Sequence, residues 1–386
     1  MLVPKINAYF STNDAFTGIF SLLSDKSNIP VLSNIYYLNH ARAGLRIAIT
    51  ALDLPKGSKI GITLYNCYTV MNAIRQAGHV IIFIDTTDDL RMDLDDLKEK
   101  HTHIDALIIT HLFGLPNDMD EIKKICPLIP IIEDCAHSFS SSSNLYETGS
   151  IGDFAVFSIG LGKFPSIGEG GILKINNNVY SSRVNREIEQ LNHYTLIDEI
   201  KLIFRLKITS NIYNPLIYKW ISLPSKKIQH KRKKINSNYK HSESNMAKSV
   251  KYLYDKKFAF IDSYKLRQQK NAKEILLNLK DNKLINLPSM DLENNNCFML
   301  PVLHPNREAF SKYLSKYGIE IAPHFTRSIE WAQEFGYETG SCINAEKIAK
   351  QILIIPIHYK LKNKYLRKLI LGIKTYNSTF LDQEKK

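Results

Sequence analysis

Short, almost wholly apolar runs alternate with helical patterning through the first half of the chain. Lys59-Ile60-Gly61-Ile62-Thr63-Leu64 predicts a buried strand, and Thr69 to Ala77 a helix ended by Gly78. His79-Val80-Ile81-Ile82-Phe83-Ile84-Asp85 predicts the next strand, Asp93 to Lys100 a short helix, and Asp105 to Phe113 another strand. Asn117 or Asp118 is placed to cap a helix running to Cys126. Ile129 to Asp134, Phe154 to Ser158 and Gly171 to Ile175 predict three more strands. Strands that are apolar throughout and separated by helices imply an α/β fold whose mainly parallel sheet is covered on both faces. Ligands of such sheets sit beyond the carboxyl ends of the strands. Asp85, Asp134 and Ser158 stand at such ends.

The flanking regions differ. Residues 1–30 have weak periodicity and suggest an arm with short helices. Residues 31–190 hold the sheet pattern, which makes them the large domain. Between 191 and 235 apolar, aromatic and basic residues mix at helical spacing, from Ile200 to Ile221 with a break at Pro215, and the run Lys226 to Lys234 closes this insertion. Residues 236–386 continue with a long helix from about Lys251, extended through Leu266 to Leu279. The apolar runs Cys297 to Val302 and Gln351 to Pro356 then suggest a small α+β domain.

Composition narrows the class. The 386 residues are 44% hydrophobic, enough for a large domain with a smaller companion. Met1 to Tyr9 has Lys5 and no apolar core, which argues against a secretory leader, and no apolar stretch is long enough to span a bilayer. The 5 cysteines are dispersed and lack metal-ligand spacing, which suggests a reduced, cytoplasmic protein without structural zinc. The net charge of +13 suits phosphorylated substrates or an anionic surface. Its densest part, Lys226 to Lys234, has no nucleic-acid recognition motif around it, so no nucleic-acid partner is expected.

The chemistry concentrates after two strands. Ile132-Glu133-Asp134-Cys135-Ala136-His137 ends an apolar run in a carboxylate and an imidazole. Phe157-Ser158 leads into Gly160-Leu161-Gly162-Lys163, with Gly168-Glu169-Gly170-Gly171 beyond. Taken singly, each residue has a plain structural reading: a solvated lysine, a turn aspartate, a core histidine, a strand-end serine. Together they match what pyridoxal 5'-phosphate (PLP) requires. Lys163 supplies an amine for the cofactor aldehyde and a proton shuttle, Asp134 an acid for the pyridine nitrogen, His137 a bond to the ring oxygen, and Ser158 a phosphate donor. His40-Ala41-Arg42-Ala43-Gly44 precedes an apolar helix from Leu45 to Leu52. Its free N–H groups and the Arg42 guanidinium suit a phosphate, although an ordinary helix start with a solvated arginine fits equally well.

In this order the pieces resemble the DegT/StrS-like sugar aminotransferases, PLP enzymes of fold type I with an aspartate-aminotransferase-like large domain. The resemblance is tight over about 35–180 and looser over 235–375. Besides the motifs above it rests on Asn72-Ala73-Ile74, Gly114-x-Pro116-x-Asp118-Met119-Asp120 and Asn344-Ala345-Glu346. It implies that Lys163 is the Schiff-base lysine, that Asp134, His137 and Ser158 hold the ring and phosphate, and that Arg42 and Ala43 stand where relatives bind phosphate. Asn238-Tyr239-Lys240 is similar to an Asn-Tyr-Arg element whose asparagine reaches the phosphate of the neighbouring subunit. That implies a homodimer with shared active sites. His324-Phe325 is similar to a His-Tyr pair near the sugar. Cys67, flanked by Tyr65 and Tyr68, falls where relatives stack an aromatic ring on the cofactor. Lys240 and Phe325 replace an arginine and a tyrosine at substrate positions. Retention of Lys163, where related sugar dehydratases carry histidine, favours amino transfer.

The expected activity is transfer of an amino group from an amino acid such as L-glutamate to a keto group of a nucleotide-linked deoxysugar, for surface polysaccharide, lipopolysaccharide included, or glycoconjugate biosynthesis. The alternative is a catalytically decayed relative acting as a membrane-surface or scaffold protein. The altered phosphate loop, Cys67 and the basic insertion 191–235, which suits peripheral membrane contact, motivate it.

Overall fold

The computed structural model describes residues 1–23, 34–221, 243–279 and 285–381. Its centre is a seven-stranded sheet in the order β1-β7-β6-β5-β4-β2-β3. The strands are β1 (Ile35–Leu38), β2 (Lys59–Thr63), β3 (Val80–Ile84), β4 (Ala106–Thr110), β5 (Ile131–Asp134), β6 (Phe154–Ser158) and β7 (Gly171–Ile175). β3, β2, β4, β5 and β6 run parallel, while β7 pairs antiparallel with both β6 and β1. The α/β fold with a mainly parallel sheet is therefore present. The five residues of β4 are all buried, as a strand covered on both faces requires.

The local differences have local causes. The strand expected to reach Phe113 stops at Thr110, because Leu112–Gly114 forms a tight turn in which Phe113 takes φ 55°. β5 starts at Ile131 rather than Ile129. β1 was not expected. It is a four-residue edge strand with three half-buried positions, so its apolar pattern is weak. The helix expected from Leu45 starts at Ala41, which puts Arg42 and Ala43 in its first turn. Asp118 caps the helix Met119–Ile125 by accepting from the Glu121 amide. Asn117 is instead buried, accepting from the Met92 amide and donating to the Thr110 carbonyl.

The start of helix Ala41–Ala51 lies against β7. A Cβ on Gly171 would stand 2.2 Å from the Ala41 nitrogen and 2.3 Å from the His40 carbonyl carbon, so only glycine lets backbone pass backbone here. That contact fixes Arg42 beside the strand ends.

In the insertion, Thr195 and Asp198 form a capping box on helix Leu196–Ile212. A second helical segment covers 215–221, with Pro215 at its first position. The long helix is apolar on two faces. Leu202, Ile203 and Leu206 pack with Phe10, Ile159 and Ile167, whereas Leu196, Ile197, Phe204 and Ile208 are exposed. The basic run Lys226 to Lys234 lies outside the described residues. Beyond it, helix Lys248–Phe258 breaks at Ala259 and Phe260 before helix Ile261–Leu279. The C-terminal part pairs β8 (Leu300–Leu303) antiparallel with β9 (Ile352–Ile355), all eight residues buried, and packs helices Arg307–Ser315 and Asn363–Leu381 around them.

Candidate active site

The sheet order reverses between β2 and β4, where a doubly wound sheet leaves a crevice. The chain segments leaving β2, β4, β5 and β6 meet there. They contribute Asn66, Cys67, Thr110, Asp134, His137 and Ser158 to a cavity of about 190 Å³, completed by His40, Ala41 and Arg42, by Gly160, Lys163 and Gly170, and by Phe325.

Asp134 ends β5 and is buried. One carboxylate oxygen accepts from the Ala136 amide at 3.0 Å, and the other meets the Thr110 hydroxyl at 3.4 Å. The Asn66 amide donates in turn to that hydroxyl at 2.9 Å. Burial raises the pKa of Asp134 above the usual aspartate value, against the Ala136 bond and the Lys163 charge. A cation delivered to this carboxylate would reverse that direction.

His137 is buried among Phe113, Phe298, His324 and Phe325, with the Phe325 ring stacked at 5.8 Å and 13°. Its Nδ1 accepts from the Phe113 amide at 3.3 Å. Burial, with the Lys163 charge second, holds its pKa well below the usual histidine value. The ring is therefore neutral, with its hydrogen on Nε2.

Lys163 sits on a loop closed by a bridge between Gly160 and Gly168. The N-terminal arm clamps this loop. The Asn7 carbonyl accepts from the Gly162 amide and from the Ser166 hydroxyl, both at 3.0 Å. Gly168 (φ 126°) takes a backbone conformation disfavoured for other residues, and a Cβ there would lie 2.7 Å from Leu206. The Lys163 ammonium lies 5.6 Å from the Phe298 ring centroid. Burial lowers its pKa, against the pull of Cys67 and Asp134.

Cys67 stands at the position before helix Tyr68–Gln76 and lines the cavity, its sulfur 3.1 Å from the Thr69 hydroxyl. Tyr65 and Ala43 lie behind the lining, both fully buried. The Tyr65 hydroxyl donates to the His324 carbonyl at 2.5 Å, so this ring braces the His324-Phe325 turn. His324 contacts the Phe325 and His137 rings, and burial holds its pKa well below the usual value. Phe325, at φ 44°, reaches the cavity. Asn238 and Lys240 lie outside the described residues.

Three contributors escaped the sequence reading: Asn66, Thr110 and the arm residue Asn7. Thr110 ends a strand beside Asp134, so the strand-end criterion could have found it. Asn66 and Asn7 act through bonds to distant segments, which spacing does not reveal.

Behind the cavity Glu133 is fully buried. Its oxygens accept from His111 Nε2 at 2.9 Å and from the amides of Gly149, Ile151 and Gly152 at 2.7, 2.8 and 2.6 Å. His111 Nδ1 accepts from the Asn117 amide, which leaves Nε2 as the nitrogen that donates to the carboxylate. Cys135 lies close enough to complete a His-Glu-Cys cluster, but the carboxylate and both ring nitrogens are already committed to hydrogen bonds.

Several known proteins resemble the chain. Residues 36–374 match the family model of the DegT/DnrJ/EryC1/StrS aminotransferases. GDP-perosamine synthase of Escherichia coli O157:H7 is 29% identical over 150 residues, covering 38% of this chain and 41% of that protein. The Campylobacter jejuni UDP-4-amino-4,6-dideoxy-N-acetyl-beta-L-altrosamine transaminase is 30% identical over 153 residues, covering 38% and 40%. These matches thus span about two fifths of the relatives' own length. The crystal structure of the aminotransferase TlmJ from Streptoalloteichus hindustanus superposes with a TM-score of 0.78 at 15% identity, covering 98% of this chain and 100% of that one, which bears on the fold. The matched family model covers most of the sequence, from β1 to the last helix, and the chain belongs to the DegT/DnrJ/EryC1/StrS aminotransferase family.

Proposed function

We propose that this protein is a PLP-dependent aminotransferase that moves an amino group from L-glutamate to a keto group of a nucleotide-linked deoxysugar. The observation that carries the reading is the convergence of Lys163, Asp134, His137, Ser158 and Arg42 on one cavity. This donor set fits the cofactor group by group. Asp134 suits a protonated pyridine nitrogen, and Nε2–H of His137 a ring oxygen. Ser158 and Arg42, with the amides near Ala43, suit a phosphate, and Lys163 an aldehyde. The bound cofactor would supply a carbonyl for amine capture and a ring that accepts the electron pair of a broken C–H bond.

The chain's own residues do the rest. Lys163, once free, takes the proton from the donor's α-carbon and returns it on the other side of the exchange, which requires a neutral amine. Burial of its ammonium favours that form. Asp134 holds a positive charge at the ring nitrogen, with the Asn66–Thr110 pair fixing the carboxylate. Cys67 and Phe325 line the cavity and are assigned to the ring and the sugar, and His324, packed against Phe325, is assigned to the sugar with it. Asn238 and Lys240 are assigned to the partner's site in a homodimer. The sheet and insertion belong to 31–190 and 191–235, with the arm (1–30) and the small domain (236–386) completing each site.

Surface-polysaccharide synthesis in the cytoplasm is the proposed setting, supported by five free cysteines. No described helix is long and apolar enough to cross a membrane. The exposed Leu196, Ile197, Phe204, Ile208 and Trp220, interleaved with Lys201, Lys207 and Lys219, support contact with either a second copy or a lipid headgroup layer. Sedimentation tests the first and liposome flotation the second. A scaffold that has lost catalysis is disfavoured, because the chemistry-bearing residues still face one cavity.

The decisive test is the visible absorption of the PLP-loaded protein before and after L-glutamate. A yellow band that bleaches with glutamate supports the reading, and a protein that stays colourless with PLP sinks it. Asp134→Asn keeps the shape but removes the charge. It is expected to lower turnover about 10²–10³-fold in a steady-state assay, the scale of losing one electrostatic stabiliser of a developing charge. Unchanged turnover would remove Asp134 from its assigned role.

A further inference from the structure

A larger cavity, of about 770 Å³, adjoins the one just described and shares His40 and Arg42 with it. Its far wall comes from helix Leu196–Ile212 and the segment before it. The smaller cavity has room for the cofactor and little else. The bulk of a nucleotide sugar must therefore lie outside it, in a space of the size that small-molecule ligands need.

The charge of the larger cavity is organised. Arg42, Lys201 and Arg205 face it as cations, and Glu169 and Asp198 as acids. Both acids are engaged locally. Glu169, its side chain 6% exposed, accepts from the Tyr194 hydroxyl and from the Arg205 guanidinium. Asp198 is tied into the capping box with Thr195. Arg205 is held at one end by Glu169, yet its side chain remains 62% exposed. A guanidinium anchored on one edge and open on the other presents remaining N–H groups in a fixed direction, which suits a phosphate. Lys201 lies four residues earlier on the same helix, hence on the same face. Asn192 and Ser244 add neutral polar groups to the wall.

We propose that this second cavity binds the diphosphate and nucleoside of the substrate. Lys201 and Arg205 would be the diphosphate ligands, and Arg42 would stand between the diphosphate and the cofactor phosphate. The proposal rests on the nucleotide-sugar reading above and assigns the insertion a binding role that needs no membrane.

The test titrates the PLP-loaded protein with UDP, GDP and dTDP by calorimetry. Lys201→Glu is expected to weaken the binding of whichever nucleotide binds wild type by about tenfold or more, as reversing a ligand's charge should. Lys207→Glu makes the same charge change six residues along the helix, outside this cavity, and is expected to leave affinity as it was. The cofactor's visible band checks that each variant has folded. Wild-type binding that survives Lys201→Glu, or falls equally in both variants, overturns the subsite and leaves the nucleotide-sugar reading standing. If none of the three nucleotides binds wild type, the nucleotide-sugar reading fails and the subsite with it.

Discussion

Replacing Lys163 with alanine is expected to lower amino transfer by at least about 10⁴-fold, the upper range for losing a positioned acid–base group that also holds the cofactor. The argument starts from placement. Lys163 is aimed into the cavity by a loop whose ends are bridged at Gly160 and Gly168, and whose middle is tied to the Asn7 carbonyl. No other described lysine lines that cavity, so no neighbour can take over. Burial lowers its pKa, which raises the neutral fraction at neutral pH, while Cys67 and Asp134 limit the shift. Lys163→Arg should be as inactive, because a guanidinium stays protonated and cannot shuttle the proton. The effect should fall on chemistry rather than folding, since the ammonium makes no buried ion pair. Thermal unfolding of the unloaded variant should match wild type. Turnover that survives either substitution, measured under single-turnover conditions with glutamate, would refute the assigned role.

The placement of Lys163 in this cavity was legible because the signals are local. Asp134 and Ser158 end β5 and β6, His137 and Lys163 follow those ends within a few residues, and the apolar runs that announce β2 to β6 also point to those ends. What stayed hidden depends on contacts between distant segments. The Asn66–Thr110–Asp134 chain joins residues after three different strands, and nothing in the spacing of any one predicts it. The arm residue Asn7 bonds Ser166, 159 positions away. Tyr65 flanks Cys67 at the position where relatives stack an aromatic ring, yet its hydroxyl finds its partner in the His324 carbonyl, 259 positions away. Helix Leu196–Ile212 reads as amphipathic because apolar and basic residues mix. Its apolar residues are in fact divided between the arm and loop packing on one face and an exposed surface on the other. Periodicity gives the helix but not which stripe is buried, because either could cover a core.

Glu133→Ala is expected to destabilise the fold by about 3–5 kcal/mol, the cost of breaking a buried, hydrogen-bonded ionic group and orphaning its partners. Glu133 is fully buried and receives four donors, three of them backbone amides of the Gly149–Gly152 turn. Alanine leaves those amides and the His111 Nε2–H without acceptors in a space closed to water. Glu133→Gln keeps one acceptor oxygen but turns an NH₂ toward existing donors, so it should recover only part of the loss. Urea midpoints at unchanged m-value would measure both. The pH dependence gives a second check. Burial pushes the Glu133 pKa up, but the His111 bond and the Gly152 and Gly149 amides outweigh it, and the folded value lies below the ordinary one. A carboxyl lowered on folding contributes its full stability above the unfolded pKa and loses it as the pH falls through the folded one. The gap between wild type and Glu133→Ala should therefore be constant near neutrality and shrink below about pH 4.3, the ordinary glutamate value. A gap that widens in acid would mean that the carboxyl is held protonated. The turn would then be braced by a neutral acid, and the amides that close the back of the Asp134 strand would owe their order to something other than its charge.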